Sequence, residues 1–60
     1  MNSREVIARL EAEGWTLMRR TSGSHRVYRK GERVVVVAEH KGKDIPKGTL
    51  NRIMKDAGWK

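Results

Sequence analysis

Two histidines, His25 and His40, are the side chains of this 60-residue chain best suited to proton transfer near neutrality. There is no cysteine to act as nucleophile or thiolate ligand. His25 closes the triplet Gly23-Ser24-His25, and His40 opens the segment His40-Lys41-Gly42-Lys43. An imidazole, with an ordinary pKa of about 6.5, can take a proton from a ribose 2′-hydroxyl. Nearby cations can then stabilise the charge that builds on the phosphorus, so RNA cleavage needs no metal in principle. Arg20, Arg26, Lys41 and Lys43 are the cations available, and Gly23 lets the backbone come close to a phosphate. A histidine on a basic strand also reads as an ordinary polar surface residue, and both readings of His25 stand at this point. His40 reads as a loop contact to phosphate or backbone or, if the two rings converge on one phosphate, as a second acid–base group.

Other chemistries fit less well. With no Cys, and no second ligand three to five residues from either His, the spacing does not describe a zinc site. Ser24 and His25 are adjacent on an expected strand, so their side chains point to opposite faces and do not form a hydrolase pair. No glycine-rich loop matches a nucleotide-binding fold. The length predicts one domain over residues 1–60, with a thin core and no deep cofactor cavity; no cofactor is expected. The longest apolar run, residues 34–38, is far short of the ~20 residues that span a bilayer, and the first residues lack a secretory pattern. These features predict a cytoplasmic protein with no membrane partner.

The net charge of +7 is concentrated in two blocks. Residues 15–30 carry five cations and no acid, and residues 41–60 carry six cations against two acids. Brought to one side by folding, such blocks attract a polyanion, and nucleic acid is the expected partner.

The elements that must position these groups follow from periodicity. Asn2 or Ser3 can cap a helix whose apolar positions are Val6, Ile7 and Leu10, with Gly14 just past its end. Residues 15–20 read as a strand, 21–23 as a turn, and 24–30 as a second strand with His25, Val27 and Arg29 on one face and Ser24, Arg26 and Tyr28 on the other. A turn at residues 30–32 leads into a Val-rich third strand over 33–38. After a polar loop over 39–45, Pro46 belongs in the first turn of a helix whose stripe is Leu50, Ile53, Met54 and Ala57, ended by Gly58. Trp15 and Trp59 each follow a glycine at a helix end and read as caps on the core rather than as base-stacking platforms. The expected class is α+β: a helix, a three-stranded antiparallel sheet and a second helix, with both helices on one sheet face.

Taken together, Gly14-Trp15, Arg19 or Arg20, Gly23-Ser24-His25, Tyr28, His40-Lys41-Gly42-Lys43, Gly48-Thr49-Leu50, Ile53 and Ala57-Gly58 resemble the HicA toxin family in order and spacing, from Val6 to Trp59. The resemblance implies a fold like that of double-stranded-RNA-binding domains. It also implies the toxin half of a type II toxin–antitoxin pair, an mRNA endoribonuclease masked by a HicB-type antitoxin. It makes His25 the general acid or base of a metal-independent cleavage. On this reading Arg20, Gly23, Ser24, Arg26, Lys41, Lys43 and Lys47 contact RNA, and His40 is a second acid–base group or a phosphate contact. Members often carry Val-Pro before the second histidine region, where this chain has Val37-Ala38-Glu39-His40. Single-stranded RNA is the expected substrate, because in-line attack needs a backbone that an A-form helix restrains. The competing expectation is a non-catalytic module that binds double-stranded RNA.

Overall fold

A computed structural model describes residues 1–21, 24–39 and 43–60 of the chain. The order is α1 (Ser3–Ala12), β1 (Thr16–Thr21), β2 (His25–Lys30), β3 (Arg33–Ala38) and α2 (Lys47–Ala57). The strands form one antiparallel sheet in the order β1-β2-β3.

Asn2 is the cap of α1. Its side chain accepts from the Glu5 backbone N–H at 2.9 Å, and Glu5 reaches back to the Asn2 N–H, so two orphan donors of the first turn are satisfied together. Ser3, the other expected cap, is buried inside the helix. Gly14 follows the C-terminal cap with φ +90°, the left-handed region expected of it. α2 starts one residue later than the sequence suggested: Pro46 is its cap, and its carbonyl accepts from the Leu50 N–H at 2.8 Å. Gly58 ends α2 at φ +77°, and a Cβ there would run into the Arg33 guanidinium. The end of α2 therefore lies against the start of β3, and the helix runs antiparallel to that strand.

Period-two alternation divides the sheet into two faces. Cross-strand partners share a face, and the pairs Tyr28↔Val35 and Arg26↔Val37 belong to the face that the helices cover. Tyr28, Val35 and Val37 are fully buried there against Val6, Ile7 and Leu10 of α1 and Ile53 and Ala57 of α2, with Trp15 in the same core. Both helices thus pack on one sheet face, as expected. The loop segment before α2 contributes more than expected: Ile45 is buried in the core, and its N–H donates to the Met1 carbonyl at 3.0 Å. The opposite face, through Val27↔Val36 and Arg29↔Val34, has no helix on it, and Val34 and Val36 remain 48% and 47% exposed.

β1 departs from simple alternation. Leu17 pairs with Tyr28 and Arg19 with Val27, so Met18 is an extra residue in a β-bulge. Trp15 stands just before the strand rather than in it.

The chain end is fastened to α1. The Trp59 indole N–H donates to Glu13 at 2.7 Å, and the Arg9 guanidinium lies 4.1 Å from the ring centroid while bonding Glu13 at 3.1 Å. The indole hydrogen bond, followed by Arg9, holds the Glu13 carboxyl below its ordinary value. Both tryptophans thus serve the core and its rim. No described helix is long and apolar enough to cross a membrane.

Candidate active site

β2 delivers its side chains alternately to the two faces, and this decides which of the expected site residues can act together. His25 opens the strand, pairs with Thr21 of β1 and Ala38 of β3, and is half-buried on the uncovered face. It forms one end of a cleft of about 490 Å³ between β3 and the flank of α2. Val34, Val36 and Ala38 make the floor, and Thr49, Arg52 and Asp56 make the helical wall. Since α2 runs antiparallel to β3, Thr49 is at the Ala38 and His25 end, Asp56 at the Val34 end, and Arg52 between them.

Arg26 goes the other way. It points to the helix-covered face beside Arg4 and Glu11, and its Nη2 donates to Glu39 at 3.3 Å with 19% of its side chain exposed. The phenol oxygen of Tyr28 and then the Glu39 carboxylate hold this guanidinium more firmly charged than usual. Among the described residues, Nε of Arg26 and the Tyr28 oxygen are buried with no hydrogen bond of ordinary geometry. The structure does not bring Arg26 together with His25: adjacent strand residues face apart, and a carboxylate already holds this one. Glu39, whose charge stood next to the site in the sequence, is likewise occupied on the far side. Its backbone N–H donates to the Ser24 carbonyl at 2.8 Å.

Arg20 pairs across the strands with Arg26 and shares its face, exposed. Arg19 and Arg29 instead share the face of His25, where they line a shallow depression with Met18, Val27 and Val34. Ser24 is exposed in the turn before β2, and Lys43 and Lys47 are exposed ahead of and at the start of α2; none of the three lines the His25 cleft. Gly23, His40 and Lys41 lie outside the described residues. Among the described residues no group of three or more His, Asp or Glu side chains gathers as a metal site would require.

Sequence reasoning missed the helical wall. Thr49, Arg52 and Asp56 fall at i, i+3 and i+7, one face of α2 beside the apolar stripe, so a signal existed. What the spacing could not give is the direction in which α2 crosses β3. The ion pairs among the described residues are Arg9–Glu13 and Arg26–Glu39, so neither Arg52 nor Asp56 is committed elsewhere.

The arrangement offers a proton-transfer group, a guanidinium and a hydroxyl beside an apolar floor. No curated protein matches the chain at a significant level. The model of a protein family described as the HicA toxin of bacterial toxin–antitoxin systems matches residues 3–59, and the chain therefore belongs to the HicA family as the toxin of such a pair.

Proposed function

We propose that this toxin is an endoribonuclease that cleaves mRNA in the cytoplasm without a metal ion, and that a HicB-type antitoxin restrains it by covering the cleft. His25 takes the proton from a ribose 2′-hydroxyl, and that oxygen attacks the adjacent phosphorus. The new P–O2′ bond forms as the P–O5′ bond breaks, and the departing 5′-oxygen takes up a proton. The observation that carries this reading is the position of His25, half-buried on the sheet face that the helices leave bare and at one end of a solvent-open cleft that follows the edge strand β3 beside α2. A guanidinium in the same cleft suits the charge that develops in the reaction.

Arg20, Ser24, Lys43 and Lys47 are assigned to the RNA path beyond the cleft, where contacts to successive phosphates set affinity and register. Gly23 and Lys41 keep the phosphate-contact role inferred from the sequence, and His40 that of a second acid–base group or phosphate contact. Arg26 is left out of the RNA path, because Glu39 holds it on the other face. Phosphate contacts make binding fall steeply with salt.

The test is a gel of a defined single-stranded RNA incubated with the protein in EDTA, beside His25→Ala. Cleavage by the parent protein and none by the variant is the expected result. A His25→Ala protein that cuts near the parent rate sinks the assignment, and tight duplex binding with the RNA left intact by both proteins favours the non-catalytic module.

A further inference from the structure

We propose that the cleft is a subsite for one ribonucleotide next to the scissile bond, with Thr49 and Arg52 holding its phosphate and Asp56 reading its base. The inference rests on the nuclease reading of the same cleft and adds what that cleft selects.

The geometry has a polarity that a plain phosphate groove lacks. At one end His25 and Thr49 supply an imidazole and a hydroxyl, with the Arg52 guanidinium one helical turn from Thr49. A guanidinium fork suits phosphate oxygens, and Thr49 adds a donor. At the other end stands a carboxylate, which would repel a phosphate, so the anion belongs at the His25 end. Between the ends, Val34 and Val36 offer half-exposed apolar surface on which a planar base can lie. Seven residues separate Thr49 from Asp56, about 10 Å along a helix, which suits one nucleotide from phosphate to base edge.

The carboxylate also gives a direction of choice. An ionised Asp56 only accepts hydrogen bonds, so it favours a base with adjacent donors. Guanine presents two neighbouring N–H donors on its pairing edge and can meet both carboxylate oxygens. Uracil presents one donor flanked by acceptors. The subsite therefore prefers guanine, and Arg52 acts on every sequence alike.

The experiment uses the full chain and single-stranded RNAs that differ in one base beside a cleaved bond. Arg52→Ala should lower kcat/KM about 10²-fold on every RNA, and Arg52→Lys should recover part of the loss by restoring the charge. Asp56→Asn should erase the guanine preference, read as the ratio of kcat/KM between RNAs that carry guanine and RNAs that carry uracil at that position. In a His25→Ala background, which removes turnover, Arg52→Ala should still weaken binding of the same RNAs. Arg52→Ala cleaving within about two-fold of the parent overturns the subsite, and so does a base preference untouched by Asp56→Asn. A loss at Arg52→Ala that Arg52→Lys leaves wholly unrestored also counts against the phosphate role. If His25→Ala itself still cuts RNA, the nuclease assignment of His25 fails, which is a separate result.

Discussion

On one face of β2, Arg26 and Tyr28 are closed in by the helices, and Glu39 holds the arginine; on the other, His25 and Val27 look onto a cleft and an exposed valine surface. The two faces differ in what their polar groups still have to give. Arg26 has its carboxylate partner, and its Nε and the Tyr28 oxygen are sealed from solvent. His25, Thr49, Arg52 and Asp56 border open space. A cation that has been claimed by the fold supports structure, and one left unpaired beside a cleft is free to meet a ligand. Net charge alone does not separate these cases, since both arginines count equally toward it.

The division can be broken by variants that cross it. The largest effect belongs to His25→Ala, which should lower the cleavage rate about 10²–10⁴-fold and leave the urea midpoint in place. A shifted midpoint would mean that the open face helps hold the fold.

Leu10→Ala, under the covered face, should cost about 2–5 kcal/mol in a urea titration, a large share of what so small a domain can hold. Any of the variant that remains folded should cleave RNA normally.

Arg26→Met is the sharper test, because the sequence placed this residue at the RNA. It should lower the melting temperature while cleavage stays within about two-fold of the parent, since Glu39 and not a phosphate is its partner. A collapse of cleavage with an unchanged melting temperature would return Arg26 to the active site.

The smallest effect is a dependence on pH. The Glu13 carboxyl is held below its ordinary value of 4.5 by the Trp59 indole and then by Arg9. A lowered folded-state value favours the charged form in the folded chain. Its contribution is complete above the unfolded value and is lost as pH falls through the folded one. Melting temperatures measured at about pH 6 and about pH 3 should therefore differ more for the parent than for Glu13→Gln, which keeps an acceptor for Trp59 but has no charge to lose.

Much of the architecture could be read from local pattern. The bounds 33–38 for the third strand, the facing of His25 against Arg26 and Tyr28, and the stripe of the last helix all follow from periods of two and 3.6 residues, which the packing obeys. Gly14 and Gly58 marked their helix ends because a positive φ is what those positions require. What escaped depends on contacts distant in sequence. Glu39 meets Arg26 thirteen residues away, Ile45 enters the core by pairing with the first residue, and Arg52 reaches the His25 cleft only because α2 runs back along β3. The bulge at Met18 did leave a local mark: Leu17 and Met18 are adjacent apolar residues, and Thr16, Leu17 and Arg19 alternate strictly only with Met18 taken out of the pattern.

That extra residue has a consequence for the rim of the sheet. Since Leu17 and Arg19 face consecutive residues of β2, the chain could lose Met18 and keep every cross-strand partner it has. Such a deletion would straighten the outermost strand into a flat row of unpaired amides, the template on which another chain adds itself. The kink at Met18 and the two arginines that follow it make that rim a poor place for a second copy to line up.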